Sequence, residues 1–148
     1  MQNNLQQFEY LVKIMNYTIS EDCLYLNIWS AHHELAEWVN NTDKISSENL
    51  LPVVIFIHGG GFNYMGISFE SYYGGLVAAM GKVVFITVNY RLGVFGFFNN
   101  HLEQHDSKLY SNNFGLYDQI AAIKWVKENV HFFGGESNKN MIITLFIH

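Results

Sequence analysis

Apolar positions in this chain fall into short runs separated by polar and glycine-rich stretches. Residues 23–29 alternate Leu24, Leu26 and Ile28 against Tyr25, Asn27 and Trp29, the period-two pattern of a strand. Residues 30–49 turn polar, with a turn cluster at Asn40-Asn41-Thr42-Asp43 and one or two helical turns predicted near 34–39. After Pro52 comes Val53-Val54-Ile55-Phe56-Ile57, a continuous β-branched and aromatic run of the kind covered on both faces in a parallel sheet. Residues 83–89 repeat that character. Between these two strands lie a glycine-rich loop and a short helix predicted over 76–80, closed by Gly81.

The clearest helix is predicted over 116–130. Leu116, Ile120, Ile123, Val126 and Val130 fall on one stripe at helical period. Asp118 in its first turn and Lys124 and Lys127 toward its end suit the helix dipole. Gly134-Gly135 stops this element, and residues 141–147 read as a last strand; residues 99–113 read as loop. Strands alternating with helices point to an α/β sheet.

Composition adds that this sheet has faces to bury. Only 14% of the 148 residues are charged, against about 25% in an average domain, while 49% are hydrophobic. The deficit predicts a piece of something larger, with a face meant to be buried. Eight basic against 13 acidic residues, a formal charge of −5 and no Lys/Arg cluster argue against a nucleic-acid partner. The apolar runs have strand length, so no transmembrane segment is expected. Residues 1–7 are polar, so no secretory signal is expected, and localisation stays open. Asn16 and Asn40 match the glycosylation acceptor pattern at a rate chance would give.

The candidate chemistry starts at His58-Gly59-Gly60-Gly61-Phe62, directly after a buried strand. Glycines leave no Cβ to block a substrate, and their N–H groups can point together into a cleft. Such donors suit a negative oxygen in a tetrahedral intermediate, or else a flexible turn or a phosphate cradle. No Gly-Lys-Ser/Thr follows, and Tyr64 stands where a dinucleotide loop needs its third glycine. A small nucleotide-binding domain is therefore disfavoured, and no cofactor is expected. His101 and His105, four apart, lack an evident third ligand and read as exposed histidines rather than a metal site. Trp29 and Trp125 read as core or sheet contacts.

Taken in order, Ser20-Glu21-Asp22-Cys23-Leu24-Tyr25-Leu26-Asn27, His58-Gly59-Gly60-Gly61-Phe62, Asn89-Tyr90-Arg91-Leu92-Gly93, Asn113-Phe114-Gly115-Leu116-Tyr117-Asp118-Gln119, Trp125-Val126 and Phe133-Gly134-Gly135 resemble the type-B carboxylesterases, the family of the cholinesterases and juvenile-hormone esterases. The resemblance is clearest over 19–135, within a single partial domain spanning 1–148. It implies a partial α/β-hydrolase fold: a mixed, mostly parallel sheet with flanking helices, incomplete. It also implies that Gly60 and Gly61 line the oxyanion hole, and that Glu21 and Arg91 form a buried ion pair. Asp118 belongs to the same structural motifs. Cys23 matches a cysteine that is disulfide-bonded in the family, but as the one cysteine here it is expected to be a free thiol.

Hydrolysis in the family needs a serine in a Gly-x-Ser-x-Gly elbow, an acid and a histidine. This sequence contains no such elbow. Aligned without gaps from Phe133, the elbow falls on 144–148 with Phe146 at the serine position; with a short insertion the serine lies beyond His148. Ser137 follows Gly135-Glu136, but it stands between a predicted helix and strand in the wrong order, and Lys139 replaces the closing glycine. His58 reads as a structural flank of the glycines rather than a base. The expectation is a fragment of a serine carboxylic-ester hydrolase, inactive alone, whose complete form acts on a small-molecule carboxylic ester. The alternative is a catalytically silent, cholinesterase-like binding or adhesion module, and no partner protein is identified by the sequence.

Overall fold

The computed structural model describes residues 20–32, 49–98 and 113–144. Four strands form one sheet: β1 (Leu26–Ser30), β2 (Leu51–Ile57), β3 (Val84–Val88) and β4 (Gly135–Thr144). Their spatial order is β1-β3-β2-β4, with β1 antiparallel to β3 and the other two pairings parallel. Among the described residues three α-helices accompany them: α1 (Gly75–Gly81), α2 (Gly93–Phe97) and α3 (Phe114–Asn129). The predicted helical turns at 34–39 and most of the loop at 99–113 lie outside the described residues.

The unbroken apolar run of β2 has the cause its pattern implies. Val53, Ile55 and Ile57 face one side with Val84, Ile86 and Val88 of β3, packed against Val126 of α3 and Val130. Val54 and Phe56 face the other side with Phe85, under Ala78 of α1. Both central strands are thus covered twice, and a polar residue on either face would be buried without solvent. Thr87, the polar residue in the middle of β3, is fully buried and accepts a hydrogen bond from Asn27 Nδ2 across the sheet at 3.3 Å.

Several boundaries differ from those expected. β1 starts at Leu26, because Leu24 and Tyr25 stay more than half exposed before pairing with β3 begins. α1 does not close on Gly81. Its last residue is Gly81, and Lys82 takes the left-handed cap at φ 51°, its N–H bonded to the Ala78 carbonyl. α3 starts two residues early, at Phe114, so Asp118 lies past the first turn and its carboxylate is engaged by Arg91 rather than by the helix end. The apolar stripe of α3 is buried only at its C-terminal half: Val126 is sealed, while Leu116 and Ile120 are over 40% exposed. α2 has no counterpart in the expected elements. Two glycines in five residues mask its helical character.

β4 begins at Gly135, well before residue 141, because Gly135 pairs with Leu51. Between that pair and Val53–Asn140, β2 advances two residues while β4 advances five. The extra residues form a bulge, across which Lys139 Nζ meets Glu136 Oε2 at 2.8 Å. Beyond it, Met141, Ile142 and Ile143 are 55%, 49% and 37% exposed on the outer strand of the described sheet. No helix among the described residues is long and apolar enough to cross a membrane.

Candidate active site

The loop that leaves β2 holds the candidate glycines. His58, Gly59 and Gly60 are buried, and the chain emerges at Gly61. Gly60 has φ 109° and Gly61 φ 57°, and a Cβ built on Gly60 would stand 2.1 Å from the Tyr64 carbonyl oxygen. No residue but glycine fits there. Each carbonyl from Gly59 to Phe62 accepts a hydrogen bond from within the protein. Gly59 O receives His58 Nδ1 at 2.8 Å, and Gly60 O receives the Asn63 and Tyr64 N–H groups at 3.0 and 3.3 Å. Gly61 O receives Asn63 Nδ2 at 2.8 Å, and Phe62 O receives the Gly93 N–H at 2.6 Å.

With the carbonyls fixed, the N–H of the next residue is fixed as well, because the two are antiparallel across a planar peptide. The N–H groups of Gly60 and Gly61 donate to no backbone carbonyl among the described residues. Backbone donors of this kind are candidates for stabilising a negative oxygen, a role in which each contributes about 3–4 kcal/mol where the site is closed to water.

The segment after β3 braces this loop from below. Asn89 Oδ1 accepts the Ile67 N–H at 3.0 Å, and Tyr90 Oη donates to the His58 carbonyl at 2.9 Å. The Tyr90 ring stacks on His58 with centroids 4.7 Å apart and planes inclined by 20°. Burial holds the His58 imidazole below its ordinary pKa, a shift its bond to Gly59 only partly opposes, so the ring is neutral near pH 7. Phe62 closes the outer side against Phe97 of α2 at 4.6 Å.

Arg91 ties the same segment to α3. Its Nε and Nη2 reach Asp118 Oδ2 and Oδ1 at 2.7 and 2.8 Å, and its backbone N–H adds a third bond to Oδ2 at 3.0 Å. The guanidinium also lies 5.2 Å from the centroid of Phe114. The expected Glu21–Arg91 pair is not formed among the described residues. Glu21 is exposed ahead of β1, whereas Asp118 projects from a helix that places both carboxylate oxygens in the plane of the guanidinium fork. Burial raises the Asp118 carboxyl, but the Arg91 hydrogen bonds and charge outweigh it and hold it below the ordinary carboxylate range. Cys23 is half-buried and free, and burial followed by the Asp118 charge pushes its thiol up, against the pull of Arg91. It is a poor nucleophile at neutral pH.

The other sequence candidates stay apart from the glycine loop. Ser137 lies inside the bulge of β4, within a strand rather than at a turn from strand to helix. Trp29 packs edge-on to Tyr73 at 5.5 Å, and Trp125 lies 6.4 Å from Phe133, both as packing contacts. His101, His105 and Phe146 lie outside the described residues, and no cluster of three metal-ligating side chains occurs among those described. A cleft of about 550 Å³ is lined by Asn27, Trp29, Glu70 and Tyr73 with Ile67, Ser68 and Phe69, and none of Gly59, Gly60 and Gly61 lines it. Sequence reasoning missed the Tyr90–His58 stack. The signal for it is that Tyr90 follows β3, whose parallel register with β2 brings the two strand ends together.

Comparison with known proteins bears on the fold and the family. The family model described as "Carboxylesterase family" matches residues 1–146. The para-nitrobenzyl esterase of Bacillus subtilis is 44% identical over 86% of this chain and 22% of its own length. Acetylcholinesterase-1 of Trittame loki is 38% identical over 86% of this chain and 20% of its own. Among solved structures, a Geobacillus stearothermophilus carboxylesterase superposes with a TM-score of 0.70 at 38% identity, covering 87% of this chain and 24% of that one. The chain therefore spans about a fifth of the length of the curated relatives it matches. Matched over nearly its whole length, and built on the same mostly parallel sheet with flanking helices as these α/β-hydrolase esterases, the chain belongs to the carboxylesterase family.

Proposed function

We propose that this chain is the oxyanion-binding segment of a serine carboxylesterase, acting on small carboxylic esters. The observation that carries the reading is the pair of unspent, oriented N–H donors at Gly60 and Gly61, at the end of β2. In acyl transfer the carbonyl oxygen of the ester becomes negative as the tetrahedral intermediate forms, and donors already in place stabilise that charge without reorganising. A third donor, the N–H after the nucleophile, completes such a site in α/β-hydrolases. The names of the relatives agree with ester chemistry, and the charge of −5 agrees with a small-molecule substrate rather than nucleic acid.

The 148 residues contain no Gly-x-Ser-x-Gly, so taken alone they supply two donors and no attacking hydroxyl. The proposed chemical contribution is stabilisation of the intermediate; attack and proton transfer require groups this sequence does not carry.

The test is a chimera in which the matched segment of the Bacillus subtilis para-nitrobenzyl esterase is replaced by residues of this chain. The chimera is expected to hydrolyse a p-nitrophenyl ester. Replacing Gly61 by glycolic acid through semisynthesis, which exchanges its N–H for an ester oxygen and keeps the positive φ, is expected to lower kcat by about 10²–10³-fold. A folded chimera whose turnover is insensitive to that change refutes the reading.

A further inference from the structure

We infer that His58 is a positioning residue for the Gly60 donor, acting through the carbonyl of Gly59 and held in place by Tyr90. This rests on the proposed role of Gly60 as an oxyanion donor and goes further, assigning what aims it.

The argument follows from one peptide plane. A carbonyl oxygen can only accept, so the 2.8 Å contact between His58 Nδ1 and Gly59 O requires the proton on Nδ1. The peptide that contains Gly59 O also contains the Gly60 N–H, pointing the opposite way. Holding the oxygen therefore sets the direction of the donor. Gly59 and Gly60 are the residues least able to hold that plane themselves, since glycine leaves both flanking torsions nearly free. The neighbouring donor is aimed differently. Its plane is held through Gly60 O by two backbone N–H groups, from Asn63 and Tyr64, with no side chain involved. The two donors thus have separate supports, one removable by mutation and one built into the turn.

The imidazole is itself immobilised. It is 1% exposed, stacked on Tyr90, and its own carbonyl receives the Tyr90 hydroxyl at 2.9 Å. Its Nε2 is buried with no hydrogen-bond partner among the described residues. That leaves the bond to Gly59 as the ring's one hydrogen bond among the described residues. A base or metal ligand would turn a ring nitrogen toward the open side of the loop; here the ring is sealed beneath it.

The experiment is heteronuclear NMR on the full 148-residue chain. In the unaltered protein at pH 7, the His58 ring is expected as the neutral Nδ1–H tautomer, with scalar coupling from Nδ1 to the Gly59 carbonyl carbon. The Nε2–H tautomer overturns the inference without any variant having to fold. Residual dipolar couplings of the Gly60 and Gly61 N–H bonds then read their directions. His58→Phe keeps the stacked ring and removes the donor; Gly60 is expected to lose its fixed orientation while Gly61 keeps its own. His58→Asn places an amide nitrogen near the lost Nδ1 and is expected to restore Gly60. An unchanged Gly60 in His58→Phe, or equal changes at both glycines, overturns the inference. No step of this readout needs turnover. A clamped Gly60 with an esterase chimera insensitive to its donors discards the proposed function alone, and a free Gly60 in an active chimera discards the clamp alone.

Discussion

Replacing Asp118 by asparagine removes the charge that holds Arg91, and the geometry sets the size of the loss. Three hydrogen bonds run from Arg91 to this carboxylate, two of them from the guanidinium fork. The amide keeps one acceptor oxygen, turns an NH₂ toward the fork and cancels the ionic attraction. Breaking one side of a buried pair costs about 3–5 kcal/mol, whereas an exposed pair contributes about 0.2–1 kcal/mol. Here the Asp118 side chain is 8% exposed and that of Arg91 39%, so solvent screens one partner and not the other. A loss of about 2 kcal/mol is expected. With a urea m-value of about 1–2 kcal/mol per molar, the unfolding midpoint falls by about 1–2 M. The pH dependence fixes the cause. Because the folded carboxyl lies below its unfolded value, the stabilisation is present above about pH 4 and fades as pH falls through the folded value. Wild type and Asp118→Asn are therefore expected to differ fully at pH 7 and to converge below about pH 4. Glu21→Gln, at an exposed site, is expected to change stability by under about 0.5 kcal/mol at either pH. Equal losses for the two variants, or a loss for Asp118→Asn that does not shrink in acid, would refute the assignment of Asp118 as the partner of Arg91.

Other substitutions separate the roles of neighbouring positions. Gly60→Ala drives a Cβ onto the Tyr64 carbonyl and is expected to rearrange the loop, seen as loss of the Gly93 and Tyr64 amide signals from their native positions. Gly61→Ala meets nothing within 4 Å and is expected to cost only about 1–2 kcal/mol for its positive φ, read as a modest drop in the urea midpoint. Ile55→Ala, in the sealed core, is expected to cost about 2–5 kcal/mol. Ile120→Ala, 46% exposed on α3, is expected to cost under about 1 kcal/mol, and the same denaturation series ranks the two. Ile142→Lys puts a charge on the outer strand of the described sheet and is expected to raise the monomer fraction in sedimentation velocity; no change would show that association runs through another face.

The elements readable from the sequence are those whose pattern has one physical solution. The runs at 53–57 and 84–88 are apolar at every position but Thr87, and both lie sealed between helices. The long helix was legible from its stripe, but the stripe overstates its burial, since Leu116 and Ile120 face outward in the described structure. α2 was hidden because its helical turn is imposed by packing of Phe97 on Phe62 rather than by propensity. The glycine loop was legible as a place where side chains are excluded, and not as a set of aimed donors. That depends on which carbonyls are held, and the holders, His58, Asn63 and Gly93, come from three places in the chain. The partner of Arg91 was misassigned for a related reason. Glu21 and Asp22 stand just before Cys23 while Asp118 and Glu128 sit on α3, and only the fold decides which meets the fork.

The most direct test of the account is intact-mass spectrometry of the 148-residue chain after exposure to a serine-directed fluorophosphonate. Two donors without an attacking hydroxyl predict an unshifted mass, with Ser137 no more reactive than in denatured protein. One equivalent of adduct on a single serine, abolished by unfolding, would contradict it.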